Sequence, residues 1–512
     1  MAENLASFKV FCQGGLNTSR DVLSQGETQP GSATSLINYE PAVTGGYRRI
    51  SGFSNDYGTV TGTGSVLGIC VANGINDGIL ACRTPSSGNN YLHKWNNTTS
   101  AWDAVTTSGS PTMSGVTKVR FTKYNFTAPK VVLTDGINPA ATYDGTTYTQ
   151  ITHASAPTDP KYSAVFQNHL FLAGDPAEDT NLYFSAPLAE TDFSAANGSG
   201  VINVGFPIIA IKTFRDALCI FGTNNIRKLV GNNISNFVLE TVTDNLGCLA
   251  TDSVIEIGGD LLFLSQDGLR PISGTDKIGD VNLETVSKDI QSIFTDVIFD
   301  IDLEGLNAVV IRQKTQFRYF FAGSDSQGII GGFRQTPNGL QFEYSQMLGL
   351  VATCADSGYI GQNEFVLHGD SSGKVHRQEK GNDFDGTDIF SLFQTPFFHM
   401  QDPEQRKIFY TVATYLRSEG DNSIVMSAVY DYEDVDTLNP TNFTLTTTGA
   451  AAYYNEALYN STAIFDGNPS PVQRINISGS GKSASLKFVT NDSNASHSIQ
   501  GLVITFGVGD RL

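Results

Sequence analysis

The stretch that decides the fold reads Ile211-Lys-Thr-Phe-Arg-Asp-Ala-Leu-Cys-Ile-Phe-Gly-Thr-Asn-Asn-Ile-Arg-Lys-Leu-Val-Gly231. Apolar and polar side chains alternate on both sides of its Gly-Thr-Asn-Asn segment, a pattern typical of two strands joined by a tight turn. Gly and Asn are the residues that such turns favour, because they tolerate unusual backbone angles. The sequence therefore predicts a β-hairpin over 211–231.

Similar units recur along the chain at intervals of roughly 40 to 50 residues, the period expected of propeller blades. Each has an apolar strand, a turn of Gly, Asp or Asn, and a returning strand. They occur at 64–105, 131–145, 164–185, 253–270, 316–323 and 363–376. A small sheet of this kind cannot bury both faces alone, so consecutive sheets must stack on one another. We predict an all-β chain whose central part, residues 56–396, is a β-propeller.

The two flanks differ from this repeat. Residues 1–55 are rich in Gly, Ser, Thr and Pro, which predicts an extended N-terminal arm. The arm could dock on its own propeller, pack as a loop on its own domain, or reach a neighbouring subunit. Residues 397–512 carry longer alternating strands, which predicts a C-terminal β-sandwich or a lateral extension of the propeller. These strands are expected at 408–416, 423–430, 485–489 and 500–506.

Two local patterns lie inside the repeat region. Between Asp280 and Val297 apolar residues recur at helical spacing, which predicts a short amphipathic helix that covers a sheet edge or a subunit contact. Trp95 and Trp102 stand on either side of a turn, so we expect them to pack together in a blade core rather than to bind a sugar.

Charge and cysteine content limit the classes of function. The 512 residues include 32 Lys and Arg against 51 Asp and Glu, a net charge of -19. A broad DNA-binding face is disfavoured, because phosphate neutralisation needs clustered cations. The six cysteines are scattered without a C-x-x-C pair, which predicts buried free thiols. A basic leader followed by an apolar core is not seen, nor is a long apolar run, so we expect a soluble product of the cytoplasm with no membrane-spanning segment.

Motifs for catalysis are weak in this sequence. The turn residues Asp135, Asp144, Asp267 and Asp370 could in principle supply a glycosidase pair. Each stands next to Gly, however, where Asp is the usual turn former. His368 and His376 flank another turn and are expected to meet across a hairpin without a third metal ligand. We therefore predict a protein that is not an enzyme and that uses no cofactor and no metal.

Four segments carry a resemblance to a known family: 183–193, 208–231, 246–254 and 261–270. Together they resemble the tail hub or nozzle proteins of short-tailed bacteriophages, also called packaged-DNA stabilisation or head-completion proteins. The resemblance is tight over about 90 residues, and the ending Ile499-Gln-Gly-Leu-Val-Ile-Thr-Phe-Gly-Val-Gly-Asp-Arg511 is similar to the last strand of the family. The segment 400–490 matches no pattern of the family.

The resemblance implies a β-propeller subunit of a homohexamer in the virion tail. The hexamer would sit below the head-to-tail adaptor ring, carry tail fibre or spike proteins, and retain the genome until ejection. Viral DNA would pass through its channel without sequence-specific binding, and no catalytic residues come with this role. If the excess acidic charge lines that channel, it would keep DNA from sticking; the alternative is that it keeps the unassembled subunit soluble.

A second function stays open at this point, a carbohydrate-binding or glycan-degrading propeller on the virion surface. A ring with a central channel would favour the nozzle, and a monomer or trimer with an aromatic-lined acidic cleft would favour the glycan protein. Tyr47, Arg48 and Arg49 are the candidate interface residues, because they form a compact aromatic and basic cluster in the arm. The alternative role for them is an intramolecular ion pair.

Overall fold

A computed structural model describes most of the chain and confirms that it is all-β. The described residues are 5–86, 91–109, 111, 115–275, 285–300, 303–321, 328–336, 339–400, 402–434, 436–447 and 471–508. Strands form seven small sheets that follow one another in the sequence, and two larger layers that pack against each other.

The seven small sheets are numbered here in chain order. Sheet 1 contains Thr63–Val71, Ile79–Thr84, Leu92–Asn96 and Ala101–Ala104, and sheet 2 contains Thr106–Thr107, Arg120–Asn125, Pro129–Thr134, Ala141–Tyr143 and Thr147–Gln150. Sheet 3 contains Tyr162–Phe166, His169–Ala173, Asn181–Phe184 and Gly200–Asn203, and sheet 4 contains Ala210–Phe214, Ala217–Phe221, Ile226–Val230 and Val238–Thr243. Sheet 5 contains Ile255–Ile257, Asp260–Ser265 and Gly268–Pro271, and sheet 6 contains Asn307–Ile311, Gln316–Phe320, Gly328–Thr336 and Gly339–Met347. Sheet 7 contains Cys354–Ile360, Asn363–Gly369, Val375–Gln378 and Phe53–Ser54.

Turn chemistry explains why these segments form hairpins. The hairpin predicted from 211–231 is present in sheet 4, where Leu218 pairs with Leu229. In sheet 3 the turn residues Gln167 and Asn168 both have positive φ, 47° and 63°. Such two-residue turns match the twist of the strands that they join.

The first strands of the small sheets contact one another in chain order, and the contacts return to the start. In several places a Thr or Ser hydroxyl of one sheet, or of the segment just before it, donates a hydrogen bond to a backbone carbonyl of the neighbouring sheet or of the segment just before that sheet. The donor and acceptor pairs are Thr122 and Ser163 (2.9 Å), Thr213 and Val165 (2.7 Å), Thr251 and Ile209 (2.7 Å), and Ser357 and Val310 (2.6 Å). Thr353 donates in the same way to Val66, 2.8 Å away, and so joins sheet 7 to sheet 1.

Sheet 7 takes its last strand from the beginning of the chain. Phe53–Ser54 pairs with the strand Val375–Gln378. The Phe53 ring stacks on Phe384, with ring centroids 5.0 Å apart, and meets His368 and His376 edge-on. The start of the chain is thus tied to the last of the seven sheets.

Two larger sheets, called layer 1 and layer 2, bury a common core. Layer 1 contains Leu5–Phe11, Tyr39–Pro41, Tyr47–Arg49, Lys407–Ser418, Val472–Gly481 and His497–Val508. Layer 2 contains Ser35–Ile37, Ile389–Gln394, Asn422–Tyr430, Phe443–Thr447 and Ala484–Asp492. Val412 and Leu502 of layer 1 share one core with Met426, Leu486 and Phe488 of layer 2.

This arrangement differs from the predicted domain boundaries. The described part of the predicted arm, 1–55, is not a separate element, because its strands belong to both layers and to sheet 7. The strand Ile389–Gln394 lies before the predicted boundary at residue 397, yet it pairs with Ala484–Asp492 inside layer 2. The predicted last strand corresponds to His497–Val508, and positions 509–512 lie outside the described residues.

Layer 2 and sheet 6 form one continuous sheet of nine strands. The link is Ser35–Ile37, which pairs antiparallel with Ile389–Gln394 on one side. On the other side Ile37 bridges Gln346 of sheet 6 in parallel orientation. The ring of small sheets and the two layers are therefore connected by backbone pairing as well as by side chains.

Helices are few and short. The α-helices are Val22–Thr28, Ile272–Thr275 and Gln291–Asp300, and the 3-10 helices are Ala195–Asn197, Thr251–Ser253, Lys288–Ile290, Arg312–Lys314 and Asp431–Glu433. The predicted amphipathic helix is present at Gln291–Asp300, where Ile290 and Phe294 enter the core shared with both layers. Positions 280–284 of that prediction lie outside the described residues.

Two further predictions are confirmed. Trp95 and Trp102 pair across neighbouring strands, with ring centroids 5.4 Å apart, and both are buried. All six cysteines are free and buried. Burial raises the pKa of the Cys12, Cys70 and Cys354 thiols to about 12, which keeps them protonated and unreactive.

Candidate functional site: the central tunnel and the junction

A cavity, called the tunnel below, lies where one strand from each of the small sheets converges. Its main cavity has a volume of about 310 Å³ and is lined by residues of sheets 2, 3, 4, 5, 6 and 7. A smaller cavity of about 140 Å³ shares Arg120, Asp252 and Asp356 with it and extends to sheet 1. A volume of this size is at the lower end for small-molecule pockets.

One end of the tunnel holds a carboxylate clamped by two cations. Arg120 donates two hydrogen bonds to Asp252, of 3.1 Å and 2.8 Å, and Lys118 Nζ lies 2.7 Å from the same carboxylate. Burial opposes ionisation of Asp252, but Arg120 and Lys118 outweigh it and lower its pKa to about 2. The carboxylate is therefore ionised across the physiological range and is poorly suited to act as a general acid.

The other end holds two lysines, of which Lys123 is paired and Lys212 has no direct ion-pair partner in the described residues. Lys123 Nζ lies 2.9 Å from Asp356. Lys212 and Glu256 line the same cavity, and neither forms an ion pair with another residue of the described chain. The Lys212 side chain is exposed to the tunnel yet enclosed by protein, and this desolvation lowers its pKa.

The balance of charge in the tunnel is opposite to that of the chain. Its acids are Asp252, Glu256 and Asp356, and its cations are Lys118, Arg120, Lys123, Lys212 and Arg312. The excess of acidic residues therefore lies elsewhere. The hypothesis of an acidic DNA channel concerned the opening between subunits of a hexamer, which a single chain does not contain, so it stays a prediction.

A buried ionic cluster joins the ring of sheets to the layers. Glu40, whose side chain is 3% exposed, lies 3.0 Å from Arg48, 2.6 Å from Lys314 and 3.4 Å from Arg318. Glu379 of the segment after sheet 7 also pairs with Lys314 and Arg318. Burial would raise the pKa of Glu379, but Arg318 and Lys314 outweigh this and lower it to about 2.

The structure places all three candidate interface residues at this junction. Tyr47 is fully buried, and its hydroxyl accepts from the Gly15 amide and donates to the Gly31 carbonyl. Arg48 pairs with Glu40 and, through two hydrogen bonds, with Glu419. Tyr47 is thus held by hydrogen bonds within the chain, and Arg48 forms intramolecular ion pairs.

Arg49 is also held within the chain. It is 1% exposed, lies 2.8 Å from Asp492, and donates to the carbonyl of Asn494. Neither Tyr47 nor Arg49 presents a side chain at the surface of the isolated chain. An intersubunit role for the cluster stays a prediction, and it would have to act through Arg48.

Three of the four turn aspartates hold backbone amides of their own turns, and the fourth pairs with a nearby arginine. Asp135 accepts from the amides of residues 137 and 138, Asp144 from those of 146 and 147, and Asp370 from those of 372 and 374. Asp267 pairs with Arg270 three residues later. These contacts are the ones that the turn interpretation predicted.

The two predicted histidines do meet across their hairpin. His368 pairs with His376, and their rings stack with centroids 4.9 Å apart. His376 Nε2 lies 3.2 Å from Asp370. Across the described residues the structure groups no three His, Cys, Asp or Glu side chains in a way that could hold a metal ion.

Comparison with known proteins gives no family. No family model and no curated protein matches the sequence. Solved structures with a similar arrangement include the extracellular domain of BT4673 from B. thetaiotaomicron, described as a hybrid two-component system, at 12% identity and a TM-score of 0.40. That match covers 73% of this chain and 45% of the other, so the chain spans less than half of its length.

Two more solved structures are similar at a lower level. KlHsv2 with its loop 6CD replaced by a Gly-Ser linker has 10% identity and a TM-score of 0.31, over 56% of this chain and 98% of that one. An exo-beta-1,3-galactanase from Phanerochaete chrysosporium, with galactose, has 11% identity and a TM-score of 0.23, over 89% and 100%. With TM-scores below 0.5, none of the three carries an argument about this chain.

Several residues of the site were not found from the sequence. Glu40 and Glu379 lie 278 and 61 positions from Arg318 in the sequence, on either side of it, and nothing in their local sequence marks them. Arg318 carries a signal, because a charged residue inside the apolar strand Gln316–Phe320 needs a buried partner. Lys212 stands in the stretch that decided the fold, but its position in a tunnel depends on neighbouring sheets.

Two buried histidines predict a loss of stability in acid. Burial is the main cause that lowers the pKa of His368 and of His497 from 6.5 to about 3. Between pH 3 and pH 6.5 the unfolded chain binds more protons at these histidines than the folded chain does. Their contribution to the free energy of unfolding is therefore fully present above pH 6.5 and is lost as the pH falls toward 3. We expect the melting temperature to fall steadily across this window, with about 1.4 kcal/mol per pH unit from each histidine.

The variant His497→Gln tests this prediction by thermal unfolding at several pH values. His497 Nε2 lies 2.9 Å from the Tyr39 hydroxyl and Nδ1 3.3 Å from Asn422 Oδ1, contacts that an amide can replace without titrating. The slope of stability against pH should be smaller in the variant, whatever its stability at pH 7. An unchanged slope would show that His497 does not contribute.

Proposed function

We propose that this protein is a structural subunit of a phage tail, a nozzle that assembles as a homohexamer below the head-to-tail adaptor. In this role the ring of subunits retains the packaged genome and conducts it during ejection. The resemblance of the segments between residues 183 and 270 to nozzle proteins supports the proposal. Tail fibre or spike proteins would attach to the outside of the hexamer, and DNA would pass without sequence-specific contacts.

In this proposal the seven small sheets are the blades of a β-propeller, and the layers are a β-sandwich fixed to it. The observation that carries the proposal is the cycle of contacts between first strands, in which Thr353 of sheet 7 meets Val66 of sheet 1. A closed disc leaves only short, protected sheet edges. The nine-stranded sheet and the cluster around Glu40 hold the sandwich rigidly, which suits a subunit that bears load.

The absence of catalysis is part of the same proposal. The turn aspartates at 135, 144 and 370 are engaged by backbone amides. Within the described residues, no helix is long and apolar enough to cross a membrane. The protein would therefore act by its shape and by its contacts with other virion proteins.

One observation favours the second candidate, a glycan-binding or glycan-degrading propeller. Asp252, Glu256 and Asp356 line one tunnel, and glycosidases need two carboxylates that flank the scissile bond. Against this, Asp252 and Asp356 are each paired with cations. A glycosidase also needs one carboxyl with a raised pKa, and the pKa of Asp252 is lowered.

The mass and shape of the purified protein test the proposal. We expect sedimentation to give six times the chain mass, and electron microscopy to show a six-fold ring whose central opening admits duplex DNA. Antibodies against the chain should label the tail of intact particles. A monomer that cleaves or retains oligosaccharides, with activity lost in Glu256→Gln, would contradict the nozzle and support the glycan protein.

A further inference from the structure

The outward side of layer 1 is unusual for an acidic protein. We call it the basic face and define it by Leu5, Lys9, Phe11, Tyr415, Arg417 and Arg474. The pairing register brings them together: Phe11 and Tyr415 both lie opposite Gly501, one on each side of its strand. In the next row Lys9 and Arg474 are separated only by Val503 and Ala413.

These side chains are exposed, and no direct ion pair in the described residues neutralises their charges, although the charge of Arg417 contributes to a lowered pKa of the nearby Glu419. Phe11 is 70% exposed and Leu5 60%. In the described part of the chain Lys9, Arg417 and Arg474 form no ion pair, and the only acid on the layer 1 strands is the buried Glu40. Exposed apolar side chains that lie together on a soluble protein often mark interaction sites.

A loop of layer 2 has the complementary character. It connects the strands Asn422–Tyr430 and Phe443–Thr447, and we call its described residues 431–434 and 436–438 the acidic loop. Glu433, Asp434 and Asp436 are exposed, and Leu438 is 90% exposed. The stretch contains no Lys or Arg.

The start of the loop is fixed at the turn between the layers, and its described residues make no hydrogen bond or ion pair to the basic face. Asp431 accepts hydrogen bonds from the amides of Lys482 and Ser483, 2.6 Å and 3.0 Å away, which fixes the start of the loop at the turn between the layers. The Tyr432 hydroxyl lies 2.7 Å from His399 Nε2.

We propose that the acidic loop of one copy docks on the basic face of the next. Glu433, Asp434 and Asp436 would meet Lys9, Arg417 and Arg474, while Leu438 would pack beside Phe11 and Tyr415. Because the two surfaces differ, the contact is head-to-tail, the kind that closes into a ring when the rotation between copies allows it. The inference rests on the homohexamer of the proposed function and assigns the surfaces that build it.

A second copy fits the face better than a nucleic acid does. Exposed aromatic and basic side chains on a sheet can also stack single-stranded bases. Three cations are few for a phosphate backbone, however, and the chain as a whole carries a charge of -19. The acidic loop supplies opposite charge and an apolar tip from the same polypeptide.

Charge exchange tests the contact in the full-length protein. Lys9→Glu with Arg474→Glu should weaken self-association by about tenfold or more, and so should Asp434→Lys with Asp436→Lys. The protein that carries all four substitutions should recover the ring, because the charges are exchanged and not merely removed. Lys94→Glu with Asp179→Lys, two substitutions on sheet 1 and near sheet 3, is the matched control and should leave the ring intact. Sedimentation gives the mass of each, and circular dichroism checks that each is folded.

The outcomes separate this inference from the proposed function. A ring that survives both double substitutions, or a fourfold variant that fails to recover, would overturn the docking while leaving the nozzle in place. A wild-type chain that stays monomeric at every concentration would overturn both. Tight binding of a single-stranded oligonucleotide, lost in Lys9→Glu with Arg474→Glu while the ring persists, would assign the face to nucleic acid instead.

Discussion

Deletion of residues 1–55 is expected to leave a chain that does not fold. The deletion removes four strands from the two layers and the strand Phe53–Ser54 from sheet 7. It also exposes the core that Val10, Tyr39 and Tyr47 cover, since all three are buried in the cluster shared by both layers. An arm that merely docked on a finished domain could be removed with little effect. We expect the truncated protein to be insoluble, or to lack cooperative thermal unfolding.

A pair of point substitutions in one strand provides the control. Val10 points into the core and is 2% exposed, whereas its neighbour Lys9 is exposed on the outer side of layer 1. Val10→Asp should destabilise the protein by about 3 kcal/mol or more, because a carboxylate would be buried without a partner. At a protein concentration where the subunits are dissociated, Lys9→Asp should leave the melting temperature of the single chain nearly unchanged. Equal stability of the two variants would show that the first strand is not part of the core.

The second large effect is expected for Glu40→Ala at the junction. The substitution leaves two cations, Lys314 and the 1% exposed Arg318, to share the single carboxylate of Glu379. Breaking a buried ion pair by removing one partner costs about 3–5 kcal/mol, since the remaining charge is uncompensated. We expect a clear fall in melting temperature and in the midpoint of urea unfolding.

Glu419→Ala is the matched control for this prediction. Glu419 also pairs with Arg48, but its side chain is 43% exposed. Exposed pairs of this kind contribute at most about 1 kcal/mol and weaken with salt. High salt should therefore reduce the small effect of Glu419→Ala and leave the larger effect of Glu40→Ala in place. Similar losses in the two variants would contradict a buried cluster.

Local patterns were enough to predict the strand content and the hairpins. The segment 211–231 and the Trp95 and Trp102 pair form as expected, because turn residues and alternation act over a few neighbouring positions. The helix at Gln291–Asp300 could be predicted for the same reason, because the spacing of its apolar residues is also a local pattern.

Pairings between distant residues could not be predicted. Phe53–Ser54 has two residues and Ser35–Ile37 has three, too few for a period to appear. Their partners lie hundreds of positions away in the sequence. Short polar segments rich in Gly and Pro predict an extended arm and not paired strands. Tyr47, Arg48 and Arg49 were noticed as a cluster, yet only the fold supplies Glu40, Glu419 and Asp492 as their partners.

Pairing of the first strand with the last has a consequence for biosynthesis. Leu5–Phe11 is synthesised about 490 residues before its partner Gly501–Gly507. With roughly 5–20 residues added per second, Leu5–Phe11 waits on the order of 25–100 s for this partner. During this time its apolar side must be shielded by the nascent chain or by a chaperone, so the layers can close only once Gly501–Gly507 has been made.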